Sequence, residues 1–346
     1  MKQLLLMTWM LLVTAGSYAQ GPNNSGDYYK NADGKTGAEL KTALCGIIYN
    51  RSERSYSDLW TDFQTTDKRA DGSVWDMYSG VSHFTFVVDQ DPGSGGTTEG
   101  DKYNREHSFP NSWFGGNKNT PMYTDLHHMY PTDKLVNNKR GNNPFGETNG
   151  ESYKSANDFS KLGKCKTEGY TGTVFEPNDE YKGDFARTYF YMVTCYEEQI
   201  PTWYTSYSSQ EGMTATLDGN TYPGLSSWQL AMLMRWAKID PVSEKEVNRN
   251  NAVYGIQKNR NPFIDYPGLE DYIWGDKKTV RFNYSDYATS LDDMIIQNGE
   301  TDGEQPEAIY SPDGKRRTEM RNGLNIIRLK NGKVIKLVKG LQTFAN

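Results

Sequence analysis

The sequence predicts an α+β protein, and three observations carry that prediction. Apolar residues recur at helical spacing through the second half of the chain. Residues 101–147 hold few good helix formers and read as short strands and loops. The stretch Leu324–Val338 alternates apolar and polar side chains around Asn331-Gly332, the pattern of a β-hairpin with a type I′ turn.

The elements follow in order. Leu40, Leu44, Ile47 and Ile48 predict a helix opening after Thr36, with Cys45 on its buried face. Tyr56 to Phe63 predicts a second, short helix. Phe84–Val88 predicts a strand, and Asp91–Gly100 a Gly-rich loop. Asp184–Glu197 predicts a long helix with Phe185, Tyr189, Met192 and Val193 on one face. Leu225–Ile239 predicts another, carrying Trp228, Leu230, Leu233 and Trp236 and stopped by Asp240-Pro241. Ser243 with Glu246 forms a capping box that opens a third. Pro267–Trp274 predicts a short last helix.

The ends of the chain differ from its body. Residues 1–19 read as a secretory signal peptide: Lys2, then apolar Leu4–Val13, then Ser17-Tyr18-Ala19 before a cut at Gln20. Residues 20–284 form the body. Residues 285–308 carry seven acidic side chains and no Lys or Arg, which reads as a linker. Residues 309–346 form a basic β segment whose Lys and Arg alternate with Ile, Leu and Val, placing them on a solvated face. Mean hydropathy of -0.80 is that of a chain with no membrane span. The expected location is therefore secreted, periplasmic or cell-surface.

Three cysteines in 346 residues are not a disulfide scaffold, and Cys165–Cys195 is the one bridge considered. The spacing fits no zinc site. The net charge of -6 argues weakly against a polyanion partner. Counterion release needs only a locally basic surface, however, and seven of the acids lie in the linker region.

Four histidines exist: His83, His107, His127 and His128. No HExxH, GxSxG, Walker A or CxxC sequence is present, and no GxGxxG joins a strand to a helix. What remains is the pair Glu106-His107 among amide-rich segments. Phosphodiester hydrolysis needs a base active near neutral pH, which His supplies. It also needs a hard cation, which one carboxylate and one amide oxygen suffice to hold. Adjacent Glu and His on a strand point to opposite faces, so some distortion or a strand end is required for both to serve one site.

Four segments resemble the endonuclease I family, secreted and periplasmic members of the ββα-metal, or His-Me finger, nucleases. They are NREHSFPNSWFG, DLHHMYPTDKLVNNKRGNNPFGE, GDFARTYFYMV and QKNRNPFIDYP, in the family's order, within a similarity running from about Thr36 to Trp274. The resemblance implies a ββα-metal core inside a mainly helical domain. It implies His107 as general base, with Glu106 and Asn137 as ligands of one Mg²⁺, Ca²⁺ or Mn²⁺ being alternatives. Asn138, Asn142 and Asn143 lie close by, so only the motif register selects Asn137. The implied substrates are DNA and also RNA, cut with little sequence preference to leave 5′-phosphate ends. The family's phosphate-contacting Arg is missing from the loop Gly116–Thr124, where Lys118 is the only cation. Arg140 either meets phosphate or forms a buried ion pair. Asp125 is expected to orient a neighbour, and His127 and His128 to be structural or to support the site from behind. Arg260, Asn261 and Asp265 are expected to be scaffold. The tail resembles C-terminal β segments of exported Bacteroidetes proteins, some of which serve type IX sorting, implying export machinery as a partner. Two readings stand against the nuclease: a non-catalytic surface protein binding polymers or glycans through its aromatics, and a phosphodiesterase acting on small nucleotides.

Overall fold

The computed structural model describes residues 21–93, 95–286, 306–310, 316–317, 323–329 and 334–339. The expected signal peptide, most of the acidic linker and the Asn331-Gly332 turn lie outside the described residues. The chain divides into two units, Tyr29–Tyr287 and the combination of Met1–Tyr28 with Ala288–Asn346.

The larger unit opens with α1 (Gly37–Ile48) and α2 (Leu59–Thr66). Strand β1 (Tyr103–His107) pairs antiparallel with β2 (Met129–Asp133), which runs straight into α3 (Lys134–Arg140). A small antiparallel sheet follows, in the order β3 (Tyr153–Lys154), β4 (Lys161–Lys164), β5 (Thr173–Glu176). The helical half comprises α4 (Lys182–Cys195), α5 (Ile200–Ser206), α6 (Glu211–Thr216), α7 (Ser227–Ile239), α8 (Glu244–Gln257), α9 (Pro262–Asp265) and α10 (Leu269–Ile273).

The predicted helices are present, with ends shifted by up to three residues. The capping box is formed: Ser243 Oγ accepts from the Glu246 N–H, and the Ser243 N–H donates to Glu246 Oε2 at 2.9 Å. Helix α4 departs from the expected one-faced pattern, because all fourteen of its residues are buried. It runs through the centre, against α1, α7 and α9. Its charged side chains and Thr188 are paired within the protein. Arg187 grips both oxygens of Glu246 at 2.5 and 2.8 Å, Asp184 meets Lys245 at 2.5 Å, and Thr188 meets the Tyr130 hydroxyl at 2.7 Å.

Two expectations are corrected. Phe84–Val88 is a turn and not a strand. Asp89 closes it, accepting from the Thr85 N–H through Oδ2 and donating its own N–H to the Thr85 carbonyl. Val87 takes a positive φ of 72° and, with Val88, is 68% exposed. The Cys165–Cys195 bridge is not formed, since all three cysteines are free thiols. Cys195 is buried in α4, whereas half-buried Cys165 follows β4 and turns to the Thr167 carbonyl.

The second unit is more than a hairpin. β6 (Pro306–Tyr310), β7 (Arg316–Arg317), β8 (Gly323–Leu329) and β9 (Val334–Lys339) make a four-stranded antiparallel sheet in the order β7-β6-β8-β9. Leu324 pairs with Val338 as the alternation predicted. The added strand β6 starts inside the expected linker, and a third strand supplies the support that an isolated hairpin lacks. Among the described residues no helix is long and apolar enough to cross a membrane.

The scaffold beside the β1–β2 pair is held by Arg249 of α8. It donates to both oxygens of Asp67 at 2.7 and 3.1 Å and to the carbonyls of Leu126 and Met129 at 2.8 and 2.7 Å. Asp67→Ala leaves this cation buried without its carboxylate. The expected loss is about 3–5 kcal/mol in urea unfolding, with part recovered in Asp67→Ala/Arg249→Met. Purely additive losses would show that the two groups are not coupled.

Candidate active site

Helix α3 is aimed by its first residues. Asp133 caps it, Oδ1 accepting from the Val136 N–H at 3.0 Å and Oδ2 from the Gly100 N–H at 2.6 Å. Asn137 and Arg140 are three residues apart and share one face of the helix. Asn104 and Glu106 are two apart on β1 and share one face of the strand. These faces meet. Asn137 Nδ2 donates to Asn104 Oδ1 at 2.8 Å, and Arg140 Nη1 donates to Glu106 Oε1 at 2.5 Å.

Glu106 is 4% exposed. Its Oε1 also accepts from the Tyr78 hydroxyl at 2.9 Å. Burial raises this carboxyl above its usual range, against the pull of Arg140, Tyr78 and the His107 N–H. Both side-chain hydrogen bonds fall on Oε1, and neither uses Oε2. Asn137 is half-buried, and with its Nδ2 committed to Asn104 its Oδ1 is the atom left to face a ligand.

His107 is the last residue of β1 and leaves the strand on the side opposite Glu106. Its Nε2 lies 2.8 Å from the Tyr123 carbonyl oxygen. A carbonyl only accepts, so Nε2 carries the proton and Nδ1 keeps its lone pair. Asn111 Nδ2 approaches that lone pair at 3.3 Å. Tyr56 stacks on the imidazole at 6.1 Å and 19°, and Tyr123 meets it edge-on at 4.5 Å. Burial pushes His107 well below its ordinary pKa, helped by His128, Arg105 and Arg140 and opposed by the Tyr123 carbonyl. Burial therefore favours the neutral ring over the imidazolium.

The other expected residues divide. Lys118 is exposed and sits 5.4 Å from the centre of the Tyr56 ring, on the His107 side of the strand. Arg140 takes the ion-pair alternative. It is fully buried, binds Glu106 and the carbonyls of His107 and Ser108, and is not open to a phosphate. Asp125 orients scaffold. Its oxygens accept from Tyr191, Tyr196, Gln257 and the His127 N–H, and none of these bonds reaches His107 or Glu106. His127 faces Tyr191 and the Asn259 carbonyl. The histidine beside His107 is instead His128, with ring centres 5.6 Å apart. Arg260 and Asp265 form a buried two-pronged pair, and Asn261 bonds to the Arg187 carbonyl, as scaffold.

Sequence reasoning missed Asn104, Asn111, Arg105, Tyr56 and Tyr78. The first three lie within four residues of His107, in the segment that carried the resemblance. Tyr56 and Tyr78 arrive from distant chain and left no local signal.

Comparison with known proteins agrees with this frame. A family model described as Endonuclease I matches residues 36–268. The chain belongs to the endonuclease I family. An extracellular ribonuclease of Bacillus amyloliquefaciens is 36% identical over 251 residues, covering 71% of this chain and 78% of that protein. An extracellular ribonuclease of Bacillus subtilis is 36% identical over 253 residues, with the same coverage. An extracellular deoxyribonuclease of Aeromonas hydrophila is 27% identical over 160 residues, 44% of this chain and 56% of that protein. For this endonuclease I family member, the matched region contains Glu106, His107, Asn137 and Arg140 together.

Burial pushes His127 and His128 down to about 4, opposed by Asp125. An unfolded histidine titrates near 6.5. Between those values the unfolded chain binds protons that the folded chain refuses, so this contribution to stability falls as pH falls. The gap in stability between the parent and His128→Gln should narrow from pH 7 to pH 5 in urea titrations. A gap constant with pH would show that His128 is not held neutral.

Proposed function

We propose that this protein is an exported, divalent-metal-dependent endonuclease. It hydrolyses phosphodiester bonds of DNA and RNA with little sequence preference. The observation that carries the reading is the setting of His107: Nε2 is tied to the Tyr123 carbonyl, which leaves the Nδ1 lone pair at the end of β1 to serve as a base. Family membership and relatives named as extracellular ribonucleases and deoxyribonucleases support it.

In this reading His107 Nδ1 takes a proton from the attacking water, and Asn111 steadies the base before attack. Water, and not a ribose 2′-hydroxyl, is the nucleophile, so DNA and RNA are both substrates. The bond to the 3′ oxygen breaks, leaving a 5′-phosphate and a 3′-hydroxyl. In this reading β1, β2 and α3 serve as the ββα-metal motif, and a hard cation suits the oxygen donors they carry. Glu106 Oε2 and Asn137 Oδ1 would hold it, and Mg²⁺ accepts such a set because it retains several waters. When bound, the ion neutralises charge on the phosphate in the transition state. Arg140 keeps Glu106 in place, and Asn104 keeps Asn137 turned for the task.

Mature protein should convert supercoiled plasmid to nicked and linear forms with Mg²⁺ and not with EDTA. His107→Ala should lower the rate about 10²–10⁴-fold. The products should ligate without added kinase, as 5′-phosphate ends do. Activity that survives His107→Ala would remove the base from this assignment. Separately, Glu106→Gln should weaken Mn²⁺ binding in a spectroscopic titration run without nucleic acid. Unchanged affinity would place the ion elsewhere.

A further inference from the structure

We propose that Arg105, together with Lys118, is the phosphate-contacting element of this nuclease, gathered on the Tyr56 ring beside His107. The proposal rests on the nuclease reading above and names the residues that hold its polyanionic substrate.

Arg105 lies two residues before His107 and leaves β1 on the same face. Its guanidinium carbon is 3.5 Å from the centre of the Tyr56 ring and 4.3 Å from that of Trp60. Nη1 donates to the Tyr56 carbonyl at 2.6 Å. The group is half-buried, yet among the described residues it forms no ion pair. The buried arginines Arg140, Arg187, Arg249 and Arg260 each hold a carboxylate at 2.5–2.7 Å, whereas half-buried Arg69 resembles Arg105 in stacking on an indole, that of Trp75. Asp91, which acts on Arg105 from a distance, is already paired with Lys134 at 2.7 Å. Lys118 likewise forms no ion pair among the described residues, and its Nζ sits over the same Tyr56 ring.

An unmatched cation partly withdrawn from water is costly, and an arriving anion relieves the cost. The anion that fits is a phosphodiester, which a planar guanidinium meets through two parallel N–H bonds. The ring stack fixes the guanidinium plane in advance. The Tyr56 ring lies nearly parallel to the imidazole of His107, so a phosphate held here sits next to the base. Such a contact supplies the two-pronged guanidinium that the loop Gly116–Thr124, whose only cation is Lys118, does not.

The test uses the full mature chain with Arg105→Gln, Arg105→Lys, Lys118→Gln and His107→Ala, each checked by thermal melting. Binding of a labelled duplex oligonucleotide is measured in EDTA across a salt series, and cleavage kinetics are measured with Mg²⁺. Arg105→Gln should reduce the slope of log affinity against log salt by about 0.9, as should Lys118→Gln. Arg105→Gln should also lower kcat/KM about 10²-fold. Arg105→Lys should restore the slope but not the rate, because a point charge lacks the fork. His107→Ala should keep the parental slope while losing cleavage. A parental slope and rate in folded Arg105→Gln would overturn the proposal and leave the nuclease reading standing. A slope unchanged with a rate loss that tracks melting would reduce Arg105 to a brace for Tyr56, and also overturns it. If the parent protein neither binds nor cuts nucleic acid, both readings fall.

Discussion

Arg140 gathers four oxygens around the end of β1. Nη1 reaches Glu106 Oε1 and the His107 carbonyl, and Nη2 reaches the Ser108 carbonyl and the Tyr189 hydroxyl. One fully buried cation thereby joins α3, β1 and α4. Desolvating a guanidinium is expensive, and the acceptors on Nη1 and Nη2, one of them a carboxylate, offset the cost. That requirement sets the distance and rotation of α3 against β1. Glu106 and Asn137 inherit their positions from it.

The remaining polar core works in the same way at a distance from the chemistry. Asp125 accepts from Tyr191 and Tyr196 on one oxygen and from Gln257 and the His127 N–H on the other. Burial opposes its ionisation, but Arg51 and both neighbouring histidines outweigh that and hold it well below the usual carboxylate range. The network links the segment before β2 to α4 and to the end of α8. Three of the four segments that carried the family resemblance meet there, so much of that resemblance records scaffold and not catalysis.

The two faces of β1 divide the labour. One face carries Asn104 and Glu106, closed by α3 and rich in oxygen donors suited to a hard cation. The other carries Arg105 and His107, lined by Tyr56, Trp60 and Tyr123. Alternation along the strand forces this separation, and His107 stands at the strand's end. The overall charge of -6 is no obstacle, because the cations at this face lack acidic partners among the described residues.

Much was determined by the sequence alone. Periodicity located α1, α4 and α7, and Ser243 with Glu246 placed the start of α8, because those signals are set within a few residues of chain. The order of the four segments singled out Glu106, His107 and Asn137 as candidates, and the structure places them on β1 and α3. Phe84–Val88 misled, since β-branched composition cannot reveal that Asp89 will close a turn. The tertiary structure decided the rest. Arg140 became an internal clamp, His128 and not His127 came to lie beside His107, and Asp125 was drawn into the scaffold. Tyr56 and Tyr78 arrived at the site from elsewhere in the chain. These outcomes depend on which buried charge finds which acceptor across long stretches of chain, and that pairing is settled only when water is excluded from the packed core.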